Sequence, residues 1–311
     1  MSEISANLVR DLRAKTGAGM MDCKQALAQS AGDMEAAVDW LRTKGLASAA
    51  KKAGRVAADG LIGLALASGD GGMGVGAVVE VNSETDFVAR NDRFQELVRA
   101  VAETALRVEP TVEAIGAAKL ANGVSVKDEI VAAVATIGEN ISLRRAGVLK
   151  VSPGVVAGYM HSQLSPGLGK LGVLVALKST GDAAALQALG RQLAMHVAAA
   201  NPQSVTVADL DPALIERERQ ILADQAKASG KPAEIIDKMV EGRLRKYYQE
   251  VVLTEQTFVI DGETPVSKVL TQAAKAAGAA IEIAGFIRFH LGEGIAKPET
   301  DLAGEVASMA S

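Results

Sequence analysis

The feature that most constrains the fold is a pattern of two apolar runs that occurs twice. Gly60 opens the first run, a glycine-rich stretch follows, and Val75–Val81 forms the second run. The same order begins again at Gly154, and residues 172–175 match residues 76–79. Short apolar runs bounded by turn residues predict strands. We therefore predict a weak internal duplication, whose halves either share one sheet or face each other across one core.

Helical periodicity follows each pair of predicted strands. Apolar residues recur at helical spacing over 93–108 and again over 184–200. A predicted helix over 266–277 leads into a predicted strand over 281–291, and a short helix is expected over 299–309. The chain is therefore expected to be an α+β protein.

The pattern divides the chain into segments. Short capped helices are expected at the start, with Gly45 ending the last of them and a helical linker following. The expected parts are an N-terminal helical module (1–56), a first core subdomain (57–150), a second core subdomain (151–210, completed by 252–294), a helical hairpin (211–251) and a C-terminal helical module (295–311).

Composition excludes several classes of function. The 33 Lys and Arg residues against 37 Asp and Glu residues give a net charge of −4, which argues against a protein that wraps nucleic acid. A single cysteine, Cys23, excludes an internal disulfide framework, and the three histidines are too far apart in sequence for a typical zinc motif. No apolar run approaches the length of a membrane span. We expect a cytoplasmic protein with no cofactor, no direct nucleic-acid partner and no membrane partner.

Two glycine clusters invite a nucleotide-binding interpretation that their context does not support. The cluster at 69–76 separates two predicted strands, whereas a dinucleotide fingerprint follows a strand and opens a helix. Residues 167–170 resemble the end of a phosphate loop, but Leu164 and Leu171 stand where a glycine and a Ser or Thr would be required. We interpret both clusters as turns.

Phe87 is the most informative single residue. Aromatic residues make up only 3% of the chain, yet this one lies in a polar stretch between a predicted strand and a predicted helix. Ala183 occupies the matching position in the second copy, so the shared fold does not require an aromatic there. Phe87 is either a lid on its own hydrophobic core or a knob presented to a partner protein, with Asp86 adding a directed charge. Burial of a Phe in a partner contributes roughly 1.5–3 kcal/mol, enough for a binding hot spot.

Two other classes of function stay open on these residues. One is an enzyme with a small acidic pocket around Asp86 and His161, although no nucleophile motif accompanies them. The other is a helical scaffold or dimerisation protein organised by the hairpin at 211–251.

Motifs along the whole chain resemble the bacterial translation elongation factor Ts family. The matching stretches are Thr16–Leu27, Asn82–Ala89, Ile137–Ile141, Ala194–Ala199, Ser229–Pro232, Lys238–Arg243 and Gly285–Phe289. Two local departures accompany them: Ser83-Glu84 stands where relatives often have a Cys-Gln-like pair, and Pro166–Gly169 lengthens the turn after His161.

The resemblance implies a guanine-nucleotide exchange factor, without catalytic groups of its own, that binds elongation factor Tu in its GDP-bound and nucleotide-free forms. It implies an N-terminal module of ubiquitin-associated-like helices, and a first module and C-terminal segment that dock on the nucleotide-binding domain of the partner. It makes the helical hairpin a candidate homodimer contact. The residues that would disturb the Mg²⁺ site of the partner are Thr85, Asp86, Phe87 and Val88. The further contacts that it implies are Ile137, Gly138, Glu139, Asn140, His161, Met239 and Val240.

Overall fold

The computed structural model describes residues 4–227 and 232–296, and it is an α+β fold of two antiparallel sheets with helices on their outer faces. The helices are α1 (Ala6–Thr16), α2 (Met20–Gln29), α3 (Met34–Lys52), α4 (Asp92–Ala105), α5 (Val112–Ala117), α6 (Val126–Ile137), α7 (Ala183–Ala200), α8 (Pro212–Lys227), α9 (Ala233–Val251) and α10 (Val266–Ala277). The strands are β1 (Asp59–Gly69), β2 (Met73–Ser83), β3 (Ser142–Val151), β4 (Gly154–His161), β5 (Leu168–Gly169), β6 (Leu171–Lys178) and β7 (Glu282–His290).

The predicted duplication is confirmed by the topology of the sheets. One sheet has the order β3-β2-β1-β5 and the other β4-β6-β7, so β1, β2 and β3 correspond to β4, β6 and β7. Both halves carry a register shift at the same place, between Glu80 and Val81 and between Ala176 and Leu177. These positions match when residue 76 is placed on residue 172. The duplicated unit thus includes a third strand, β3 or β7, and only β7 was predicted.

Both halves begin with a glycine at a positive φ. Gly60 has φ 119° and Gly154 has φ 155°. A Cβ atom at either position would collide with a carbonyl oxygen of the neighbouring strand, that of Val81 or Leu177. The glycines that open the two sequence patterns are therefore required by close approach of the backbone.

The two sheets face each other across one apolar layer, so the second of the two predicted arrangements is the observed one. Ile62 and Val78 of the first sheet and Val156 and Leu174 of the second lie in this layer. Alternate residues point outward, as strand geometry requires. Outward residues of the first sheet pack on α4, with Phe94 fully buried, and those of the second sheet pack on α7.

The N-terminal module is held by its caps and by a small core of its own. Ser5 caps α1 and Asp33 caps α3, each side chain accepting a hydrogen bond from a backbone N–H three residues on. The buried residues of its core are Val9, Leu12, Cys23, Ala26, Leu27 and Ala37.

One predicted helix end within this module was wrong. Gly45 does not end α3, which continues to Lys52. Gly45 is buried where α3 crosses α6, and a Cβ atom there would lie 3.5 Å from the side chains of Val131 and Ala135. Its small size allows close helix packing, so tertiary contact outweighs its low helix propensity.

The predicted hairpin consists of α8 and α9, which enclose a separate apolar core of Leu222, Ala226, Val240 and Leu244. The short strand β5 leaves the second half and pairs with Ile62 and Gly63 of β1. The predicted C-terminal helix at 299–309 lies outside the described residues, as does all of the C-terminal module except Ile295 and Ala296.

Candidate partner-binding site

Phe87 projects from the loop that joins β2 to α4. The loop passes through one 3-10 turn, Val88–Arg90, before Asn91 caps α4 by accepting a hydrogen bond from the Phe94 backbone N–H at 3.2 Å. Val88 and Ala89 are buried and anchor the turn on the core of the first sheet. Phe87 itself is 75% exposed. It does not cover its own core, so the lid interpretation is wrong.

The loop is fixed by hydrogen bonds on both sides of Phe87. Before it, the Ser83 hydroxyl donates to the Thr85 carbonyl at 3.0 Å. After it, the Gln95 side chain donates to the Ala89 carbonyl at 3.1 Å, and the Arg90 N–H donates to the Phe87 carbonyl at 3.1 Å. The exposed aromatic side chain therefore stands on a loop that hydrogen bonds hold on both sides of it.

A second predicted segment meets this loop. Gly138 ends α6 in the left-handed conformation, with φ 91°, and the turn directs Glu139 toward Thr85. The Glu139 carboxylate accepts from the Thr85 N–H at 2.9 Å and from the Thr85 hydroxyl at 2.6 Å. The structure thus brings 137–140 together with 85–88, although 54 positions separate Thr85 from Glu139 in sequence.

A groove of about 330 Å³ lies beside the loop. Asp86 and Arg90 line one part of it, and Ser162–Leu164 and Lys170 line another. Its charged side chains are of both signs rather than purely acidic. His161 is exposed and its Nδ1 lies 3.1 Å from the Tyr159 hydroxyl, but it is not one of the residues that line the groove. The structure therefore does not join Asp86 and His161 in one pocket.

Met239 and Val240 lie apart from this loop, on α9 of the helical hairpin. Val240 is only 5% exposed and packs inside the hairpin, whereas Met239 is half-buried. Of the two predicted contacts, Met239 is the one with an accessible side chain.

A buried acid near the loop was not predicted. Glu80 of β2 is fully buried and accepts hydrogen bonds from Arg144 at 3.1 Å, from Arg145 and from the Gly292 N–H at 2.9 Å. Burial by itself would raise the pKa of Glu80, but the hydrogen bonds from Gly292 and Arg145 outweigh it and lower the pKa below its ordinary value. Glu80 thereby fastens the turn after β7 to the first sheet. The adjacent arginines at 144 and 145 were the only sequence signal for it.

The described residues contain neither a cluster of metal-ligating side chains nor a membrane-spanning helix. Within 4–227 and 232–296, no three or more His, Cys, Asp and Glu side chains are grouped so that they could hold a metal ion. None of the helices in those ranges is long and apolar enough to cross a membrane.

Comparison with known proteins identifies the family. A family model described as Elongation factor TS matches residues 84–293. A protein named Elongation factor Ts from Rhodospirillum centenum is 60% identical over 311 residues, which cover 100% of both chains. Its namesakes from Rhodospirillum rubrum and Rhizobium johnstonii are each 59% identical, over 310 and 309 residues, and the matches cover 99% of each chain. The chain belongs to the elongation factor Ts family, whose members are translation elongation factors.

Proposed function

We propose that this chain is the guanine-nucleotide exchange factor of elongation factor Tu in the cytoplasm. It binds the GDP-bound form of that GTPase and promotes release of GDP so that GTP can bind. Membership of the elongation factor Ts family supports the choice of partner. The observation that carries the proposal is Phe87, which is 75% exposed on a loop held by hydrogen bonds on both sides.

In the proposed mechanism the Thr85–Val88 segment enters the nucleotide-binding domain of the partner and disturbs its Mg²⁺ and phosphate site. Phe87 supplies apolar surface, and the exposed Asp86 beside it supplies a negative charge. Val88 points into its own core, so its role is to anchor the segment. No bond of the nucleotide is made or broken.

The energetics require more than one contact. If the factor weakens GDP binding, GDP must weaken the binding of the factor to the same extent. A 10⁴-fold effect needs about 5.5 kcal/mol of differential binding, whereas one Phe contributes roughly 1.5–3 kcal/mol. The remainder is assigned to further contacts, for which the candidates are Ile137, Gly138 and Asn140 beside the loop, His161, and Met239 on the hairpin.

The direct test is stopped-flow release of fluorescent GDP from purified elongation factor Tu with and without this chain. The proposal requires that catalytic amounts of the chain accelerate release. Incubation with labelled nucleotide and no GTPase is the control for an enzyme, since turnover in that mixture would contradict the proposal.

Homodimerisation through the hairpin is a second proposed property. Leu214, Ile221 and Ile235 are 40–45% exposed although all three lie on α8 and α9. Exposed apolar residues on paired helices favour contact with a second apolar surface. Sedimentation over a range of concentrations tests this proposal, and a monomer at all concentrations would contradict it.

A further inference from the structure

Two reciprocal hydrogen bonds between carboxylates and backbone N–H groups join the loop that carries Phe87 to the segment after α6. Glu139 accepts from the backbone N–H of Thr85 at 2.9 Å, and Glu84 accepts from the backbone N–H of Asn140 at 2.6 Å. Each segment thus contributes one carboxylate and one backbone donor to the other. We call these four residues, Glu84, Thr85, Glu139 and Asn140, the double clasp.

The double clasp also holds the connection between the N-terminal module and β1. The Asn140 side chain donates to the Arg55 carbonyl at 2.8 Å, and the Arg55 guanidinium lies 3.5 Å from Glu84. Glu139 and Asn140 are only partly exposed, and Glu84 keeps 21% of its side-chain surface accessible. Charge-assisted hydrogen bonds between such partly buried groups are stronger than hydrogen bonds between neutral groups.

The second half of the molecule shows that the fold does not need the double clasp. There the loop after β6 meets the turn after α10. Helix α10 ends at Gly278 in the left-handed conformation, as α6 ends at Gly138. Small residues close this junction: a Cβ atom on Gly181 would lie 3.4 Å from that of Ala277 and 3.7 Å from that of Ala279. Among the residues that the structure describes, the paired carboxylate hydrogen bonds therefore occur only in the half that carries the exposed aromatic.

We propose that Glu84 and Glu139 are positioning residues that set the direction of Phe87 before the partner arrives. This rests on the proposed exchange function. Thr85 is two residues from Phe87, so fixing its backbone N–H and hydroxyl restricts the rotations that would let the knob move. A binding residue that is already ordered loses less entropy on association. Both Glu139 oxygens bond to Thr85, so Glu139 acts through the loop rather than by touching the partner.

The test is a double-mutant cycle on stimulated GDP release. Glu139→Ala and Glu84→Ala should each slow release about tenfold, the scale of one charge-assisted hydrogen bond. In a Phe87→Ala background the same substitutions should have almost no further effect, because there is no knob left to position. Glu139→Gln, which retains one acceptor for the Thr85 N–H, should recover part of the loss. Glu103→Ala, which removes an exposed carboxylate from α4, should leave release unchanged.

Amide hydrogen exchange gives a second readout that does not require the partner. Glu139→Ala should accelerate exchange at the Thr85 amide, and Glu84→Ala should accelerate it at the Asn140 amide, while the amides of α4 keep their protection. Unchanged exchange at both amides would overturn the double clasp even if wild-type protein stimulates GDP release. Full additivity with Phe87→Ala would also overturn it, because Glu139 would then contact the partner itself. Failure of wild-type protein to stimulate release would instead refute the exchange function.

Discussion

Replacement of Phe87 by alanine should separate function from stability. Because Phe87 is 75% exposed, truncation removes little buried surface from the free protein, and the free energy of unfolding should change by less than about 0.5 kcal/mol. Full burial of a Phe is worth roughly 1.5–3 kcal/mol, and about three quarters of that remains to be gained in a complex. The variant should therefore lose about 1–2 kcal/mol of binding free energy in the complex that releases GDP, which slows stimulated release about five- to thirty-fold.

The assay is release of fluorescent GDP at a fixed concentration of elongation factor Tu, with a denaturant unfolding curve for each protein. Ile260→Ala is the matched control, since Ile260 is a large apolar residue that is 47% exposed in another loop. It should match wild type in both measurements. If elongation factor Tu releases GDP at the wild-type rate in the presence of Phe87→Ala, the assignment of Phe87 as the inserted residue is refuted. It is also refuted if release is slow only because the variant is unfolded.

Three further predictions concern the core. Phe94→Ala, at a fully buried position, should lower the free energy of unfolding by about 3–5 kcal/mol in a denaturant titration, in contrast to Phe87→Ala. Glu80→Ala should lower it by about 3 kcal/mol, because two arginines lose their buried partner, and an unchanged midpoint would contradict this. His196 is buried and accepts a hydrogen bond from the Val259 N–H, and burial lowers its pKa. The folded state then binds fewer protons than the unfolded chain, so stability should fall as pH drops below the ordinary value of 6.5, and this dependence should weaken in His196→Gln.

Elements with strong local periodicity could be predicted from the sequence. The apolar stripes of α4, α7 and α10 each pack one face on a sheet, so periodicity alone was enough to place them. The repeated strands were recognisable because glycines and turns bound them on both sides. For Phe87, the polar neighbours and the Ala183 counterpart left a lid and an exposed knob as alternatives, and its 75% exposure decides between them.

Elements that depend on distant partners could not be predicted in this way. β3 was missed because Arg144 and Arg145 interrupt its apolar alternation. Both arginines donate hydrogen bonds to the carboxylate of Glu80 on the neighbouring strand, a contact that local sequence does not reveal. Gly45 was read as a helix stop because its packing against α6 is not visible in local sequence. In the double clasp, Glu84 and Glu139 each accept a hydrogen bond from a backbone N–H of the other segment. Every residue except proline has a backbone N–H, so the sequence carries no signal for these contacts.

The two-residue strand β5 gives the lengthened turn at 163–170 a protective role. Without Leu168 and Gly169, the outer edge of β1 at Ile62 and Gly63 would present unpaired N–H and C=O groups to solvent. Such an edge is a template on which another extended chain can add, and it leads to aggregation. Because the covering strand comes from the other half of the duplication, a fragment containing only the first half would expose this edge. In the intact chain, a strand from one copy of the repeat therefore covers this part of the sheet edge in the other copy.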